Sequence, residues 1–560
     1  MAASNRSEYL LGEQALARGA WAEAREAFES ALLVSESPEA LEGLGTAAWW
    51  LDLADLVFDS RERAYRLYSA NNQRTAAARV AVWLGWDYWA FRGESAVANG
   101  WLQRARRLLK SEPASAEHAW LEVRESSFCL LEHGDPERAQ SMASEGIRIA
   151  REVGNIDLEM LGIAVQGLVL VTSGSVREGM CCLDEVNAAV IAGELTDRVA
   201  IGMAGCYLIA ACERVRDYDR ALQWCKRLKA YCSHWGLRPL FAVCRTQYAS
   251  ICLWRGTWPE AEEELQLAEE ELAASRPAMT VDTWVRLGEL RRRQGRLAEA
   301  EVLFQQCPPH GAGLLGRAEL AMDRGDYASA TENAERYLRQ LPAANRMDRA
   351  AGLELLTRAL SSAGQCKRAQ VYLVELSGIA KSVSTTSLQA SASFAAGCLA
   401  AAQEETDTAR RYFEDAVDLY AQSGAPFETG RARLELARCL NKLGRKQAAS
   451  DEARLAMDLF EGLTAEFEVA RVRHFIEAST AVQEGPADAR SASGRGTKLT
   501  SREVEVLRMV GEGLNNQCIA QRLFLSDHTV HRHLANILNK LNVSTRAAAV
   551  AQAARRGLIQ

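Results

Sequence analysis

His528, His531, Arg532, Ala535 and Asn539 are spaced to share one face of a helix near the C-terminus. Arg and Asn are the side chains that reach guanine and adenine edges in a DNA major groove, where an α-helix fits. Lys540, next along the chain, and backbone amides at helix starts would hold phosphates and set the register. Catalytic chemistry has no comparable foothold. The sequence contains no HExxH, GxSxG, GxxxxGK[ST] or CxxC, so it reads as a non-enzyme needing no cofactor and no metal. His528 and His531 read as solvated or DNA-facing imidazoles rather than metal ligands, and Cys518 as a packed or half-exposed thiol.

A DNA-reading face must be held by a small scaffold, and the surrounding residues predict one. Thr500 reads as an N-cap with Glu503 completing a capping box, Val504, Leu507 and Val510 form an apolar stripe, and Gly513 ends that helix. A second helix, about Asn516–Leu523, places Ile519 and Leu523 on one face with the small Ala520 between them. Ser526 caps a third helix in which Val530, His533, Leu534, Ile537, Leu538 and Leu541 follow the spacing of a buried stripe. A fourth, Ala-rich helix spans about 545–556. Two short helices crossing at a tight turn describe a helix-turn-helix.

This segment resembles the LuxR-type (NarL/FixJ-like) DNA-binding domain over residues 498–560. The match rests on Leu499, Thr500, Arg502, Glu503, Glu505, Val506, Leu507, Gly513, Asn516, Ile519, Ala520, Leu523, Ser526, Thr529, Val530, His533, Ile537, Lys540, Leu541, Ser544, Thr545 and Arg546. The resemblance implies that the third helix enters the major groove and that the fourth helps form a homodimer on double-stranded promoter DNA. By position it gives groove-facing roles to His531, Arg532 and Ala535 and sets Thr529 near the backbone; with Asn516, and with Asn539 and Lys540 from the helix face above, these make the expected DNA-binding set. Relatives often carry Lys where His531 and Ala535 stand, and Glu where Cys518 stands. Two fewer cations imply a shallower dependence of affinity on salt.

The preceding residues are of another kind. A unit Gly-x4-Ala recurs at Gly19/Ala24, Gly93/Ala98, Gly134/Ala139, Gly256/Ala261, Gly295/Ala300, Gly325/Ala330, Gly364/Ala369 and Gly444/Ala449. Degenerate copies stand at Gly174/Gly179, Arg216/Ala221 and Glu404/Ala409, and Ala64 lies 40 residues after Ala24. From Ala98 onward the steps are 41, 40, 42, 40, 39, 30, 39, 40 and 40. A helix ending at a left-handed residue, a short turn and a second helix whose Ala allows close approach would repeat into a solenoid. Phe28, Leu102, Phe304 and Phe413 would fill the grooves. The units resemble tetratricopeptide (TPR) repeats, as in GAWAEAREAFESAL and GDYASATENAERYL, with a longer period. PFETGRARLELARCLNKLGRKQAASDEARLAMDLF looks like the helical arm of MalT-like, large LuxR-family regulators, whose nucleotide-binding domain has no counterpart motif here.

The expectation is thus an all-α chain: a TPR-like solenoid over 8–478, a flexible linker at 479–497 and a small four-helix helix-turn-helix domain at 498–560. GAGLLG (Gly311–Gly316) matches a dinucleotide pattern but reads as a repeat turn, and Trp83, Trp86, Tyr88 and Trp89, with Trp49 and Trp50 upstream, read chiefly as core. The 14 Cys, eight of them between Cys181 and Cys252, read as buried thiols in a reducing compartment. MAASNRSEYLLGEQ shows no secretory signal, and the run from Leu161 to Val171 is too short to span a membrane, so a cytoplasmic protein with no membrane partner is expected. Charge supports the division. Residues 498–560 carry 9 Lys/Arg against 4 Asp/Glu, which leaves the rest at −12 of a total −7. The function read from this is a DNA-binding transcription regulator whose solenoid senses a protein or small-molecule effector. The rival is an interaction scaffold with a weak or vestigial DNA-binding tail.

Overall fold

The computed structural model describes residues 2–273, 276–308, 311–481, 499, 501–512, 514–523, 530, 533–534, 537–538, 540–541, 543 and 546–558. Every regular element among them is a helix. Two compact units emerge, residues 1–388 and 389–560. The division falls inside the helix Thr386–Ala402, not at the expected linker, whose residues from 482 lie outside those described.

Helical hairpins are the repeating piece. The first helix of each pair is closed by a residue with positive φ, and the second begins two positions later. Gly19, Gly93, Gly134, Gly174, Gly256, Gly295, Gly325, Gly364 and Gly444 all hold that position. In the degenerate copies Arg216 (φ 57°) and Glu404 (φ 64°) adopt the same left-handed backbone without being Gly. The second positions, from Ala24 through Ala449, are buried at every copy carrying Ala. One register differs from the sequence reading. Between Pro38–Trp50 and Ala54–Ala70 the left-handed residue is Asp52 (φ 57°), so Val57, five residues on, takes the close-approach position. Ala64 is buried farther along the same helix. A bulkier Val is accommodated there, which is why a search for Gly-x4-Ala misses this copy.

Large side chains of the second helices sit over glycines of neighbouring helices. Phe28 covers Gly12 and Gly43, Phe304 covers Gly288 and Gly316, and Phe413 covers Gly397. A Cβ built on Gly316 would lie 2.2 Å from Cε1 of Phe304. Gly316→Ala should therefore lower stability by about 1–3 kcal/mol through overpacking, a loss that urea denaturation would register. Gly316 also ends GAGLLG, which opens the helix Ala312–Asp323; the element before it is the helix Leu297–Gln306, not a strand.

In the unit 1–388 the stack also meets itself. Hairpin turns dock on connections far along the chain: Trp21 Nε1 donates to the Trp235 carbonyl, Arg276 Nε to Asp52 Oδ1 at 2.7 Å, and Asn345 Nδ2 to the Gly134 carbonyl. Arg216 binds Glu354 and its carbonyl accepts from Ser387. These contacts link residues 138 to 224 positions apart, so this unit coils back on itself and successive windings touch. Ile156–Ser173 is the one helix among the described residues long and apolar enough to cross a membrane, and 61% of it is buried within the protein.

Candidate nucleic-acid interface

The C-terminal scaffold forms from the predicted pieces. Helices run over Ser501–Gly511, Asn516–Leu523 and Arg546–Arg555, and Val530, His533, Leu534, Ile537, Leu538, Lys540 and Leu541 are helical between them. Val506, Leu507, Ile519, Ala520, Leu523, Val530, Leu534, Ile537, Leu541, Ala549 and Ala553 make one core, with Val504, Val510 and Leu538 packed against it. Val530, Leu534, Ile537 and Leu541 are therefore one buried stripe at helical spacing, and His533 beside it is half-buried.

Polar contacts fix the angles between these helices. Asn515 Oδ1 accepts the Cys518 amide at 2.8 Å and so caps the second helix. Arg502 reaches across from the first helix, donating to the Leu523 carbonyl at 2.9 Å, and pairs with Glu505 at 2.6 Å. It thereby satisfies a C-terminal carbonyl of the second helix. Gln552 of the last helix donates to the Leu541 carbonyl. Sequence reasoning placed Arg502 only within a family match. Its spacing to Leu523 carries no local periodicity that would reveal the contact.

Lys540 has a role the sequence reading did not give it. Its Nζ donates to both carboxylate oxygens of Glu503 at 2.8 Å, and that carboxylate is almost wholly buried. The ammonium is half-exposed, and the pair ties the third helix to the first. Glu503, assigned above to a capping box with Thr500, is the anchor of that tie; Thr500 lies outside the described residues. Lys540→Ala should lower stability by about 1–3 kcal/mol by removing the cation that donates to both oxygens of a buried carboxylate. A slope of log affinity against log salt that stays the same would make the tie to Glu503 its whole role, whereas a slope shallower by about one would keep the predicted phosphate contact. Denaturation and a salt titration of DNA binding separate the two roles.

Of the remaining predicted DNA-binding residues, Asn516 opens the second helix half-buried, with Oδ1 enclosed and unpaired among the described residues. Thr529, His531, Arg532, Ala535 and Asn539 lie outside the described residues, as does His528. Cys518 is exposed. No group of three or more His, Cys, Asp or Glu among the described residues is arranged to hold a metal ion.

Residues 497–553 match the family described as "Bacterial regulatory proteins, luxR family". Among similar proteins, the nitrate/nitrite response regulator protein homolog of Haemophilus influenzae is 53% identical over 51 residues, 9% of this chain and 24% of that protein. The transcriptional regulatory protein DegU of Brevibacillus brevis is 40% identical over 62 residues, 11% of this chain and 26% of its own length. HTH-type regulators of Mycobacterium tuberculosis and Mycobacterium bovis are 48% identical over 68 residues, and the match spans 12% of this chain and 8% of theirs. The helical repeats are similar to the crystal structure of the APC/C hetero-tetramer Cut9-Hcn1, with a TM-score of 0.46 at 15% identity over 86% of this chain and 90% of that one. A Rap protein complexed with competence and sporulation factor gives a TM-score of 0.39 at 13% identity, over 70% of this chain and 99% of that one.

Proposed function

We propose that this chain is a cytoplasmic transcription regulator whose C-terminal helix-turn-helix, within residues 498–560, reads promoter DNA as a homodimer. The observation that carries the reading is the luxR-family match over 497–553, laid on a scaffold whose helices pack around the stripe Val530, Leu534, Ile537 and Leu541. With those positions spent on the core, the spacing of Arg532, Ala535 and Asn539 leaves them for the opposite face, with His531 beside them. Arg532 supplies the base-edge contact, Asn539 a second, and Thr529 and backbone amides the phosphate register. Residues 8–478 act as the sensor: an effector that binds one conformation of the repeats better than another shifts how available the DNA-binding domain is.

Selection of bound DNA from a random pool, with full-length protein and residues 480–560 side by side, tests this. The same inverted repeat enriched by both supports a dimeric reader whose repeats add control. A site enriched by the C-terminal piece alone supports repeats that inhibit. If neither enriches a site, the interaction-scaffold reading takes its place.

A further inference from the structure

Inside the unit 1–388, arginines and tryptophans interleave. The Arg276 guanidinium carbon lies 4.5 Å from the Trp49 ring centre, Trp49 packs on Trp83, and Arg61 sits 4.6 Å over Trp83. Arg124 lies 4.2 Å from the Trp120 ring, 4.3 Å from Trp86 and 5.4 Å from Trp83. Two of these cations have partners: Arg61 binds Asp87 Oδ2 at 2.5 Å and Arg276 binds Asp52. Arg124 does not. It is 2% exposed, and Nε, Nη1 and Nη2 all lack a hydrogen-bond partner among the described residues. The carboxylates within its electrostatic reach are committed elsewhere, Asp87 to Arg61 and Asp197 to the amides of Val199 and Ala200.

That arrangement is expensive unless something completes it. A buried guanidinium with no carboxylate hydrogen-bonded to it and unmet N–H groups is strongly unfavourable, and native interiors rarely keep such groups unsatisfied. The indole rings do not remove the deficit: stacking engages the guanidinium face, whereas its hydrogen bonds lie in the plane. Burial draws the Arg124 guanidinium down to about 10 against the pull of Asp197 and Asp87, the direction of a cation taken out of water. Two more groups lack a hydrogen-bond partner among the described residues: the donor Trp120 Nε1, on the ring 4.2 Å from the Arg124 guanidinium carbon, and the acceptor Asp87 Oδ1, whose carboxylate acts electrostatically on Arg124. A planar edge of donors flanked by aromatic faces, with one acceptor at hand, matches a carboxylate attached to a small body bearing an N–H or O–H group.

We propose that Arg124 is the centre of a small-molecule site in which a ligand's carboxylate takes the guanidinium edge. Trp86 and Trp120 pack the ligand body, Trp120 Nε1 donates to it, and Asp87 Oδ1 accepts from an amino or hydroxyl group. The ligand class is a small amino- or hydroxycarboxylate. This rests on the reading of the repeats as a sensor and names what they would sense.

The test uses full-length protein with acetate, lactate, alanine, benzoate and indole-3-acetate, with the corresponding carboxamides and inorganic phosphate as controls. Tryptophan emission and Tm are read together, since four indoles line the cluster. The expected result is saturable change with one or more carboxylates, strongest for those with a donor group, and none with their amides. Arg124→Met should weaken that response by about 10- to 100-fold. In the absence of probe the variant should keep or raise its Tm, because an apolar side chain of similar length removes an unmet charge. Flat responses across the carboxylates, equal binding of acids and amides, binding of phosphate alone, or an Arg124→Met protein that unfolds early each overturn the proposal. DNA affinity measured on the same samples keeps the two readings apart. A carboxylate that binds without altering DNA affinity upholds the site and removes the sensor role, while loss of the site leaves DNA reading untouched.

Discussion

Asp87→Ala should destabilise the unit 1–388 by about 3–5 kcal/mol, a large fraction of a typical domain's stability. Asp87 lies in the helix Arg74–Arg92 with no solvent exposure, and its Oδ2 takes Nη1 of Arg61, itself 2% exposed. Truncating the carboxylate strands the Arg61 cation among Trp83 and its neighbours, where water cannot replace the lost partner. Replacing both residues together, Arg61→Met with Asp87→Leu, should cost far less, because an apolar pair needs no counter-charge. Urea denaturation of the two single variants and the double variant gives the coupling between them. Additive losses would show that Arg61 finds another partner and that the pair is not the unit that matters.

Arg532→Ala should remove about 1–3 kcal/mol of sequence-specific DNA binding, roughly a 5- to 150-fold loss, and relax the preference at the base step it reads. Non-specific affinity should fall much less, since most phosphate contacts persist. Binding to the selected site and to a scrambled duplex, each across a salt series, separates these effects. An equal loss on both duplexes would make Arg532 a phosphate contact and shift base reading to Asn539 or His531. The contrast with Lys540 is instructive. Both are cations of the same predicted helix, Arg532 in its first half and Lys540 at its end, but Lys540 is held by a buried Glu503 and its loss should be felt in stability.

Much of the architecture was legible because it is periodic and local. The buried alanines of the hairpins, the left-handed residues between their helices and the stripe Val530, Leu534, Ile537 and Leu541 all follow from spacings of three to five residues. Even Arg216 and Glu404, which lack the Gly side of the pattern, could be placed by the forty-residue step. Asp52/Val57 escaped because neither position has the expected residue type. What could not be read was whatever joins distant points. Nothing near Arg276 in sequence announces Asp52, 224 positions away, and nothing near Lys540 announces Glu503. The tryptophans were visible as a cluster, but the three arginines between them, one of them lacking a partner among the described residues, come from two helices and a connection that only packing brings together. Of the candidate DNA-reading face, the scaffold was legible from its stripe; the contact residues themselves were assigned by position within a family resemblance.

The windings that touch in the unit 1–388 change what kind of folding unit it is. In an open repeat array stability is nearly a sum over nearest neighbours, so the ends fray and a repeat can be trimmed at modest cost. Here the pairs Trp21–Trp235, Asp52–Arg276 and Gly134–Asn345 close loops of more than two hundred residues, so early hairpins are completed only by late ones. Such closure raises contact order and slows folding. It also makes melting a single cooperative event: removing the first hairpin would loosen the sixth, and strain introduced anywhere along the coil would be shared across it.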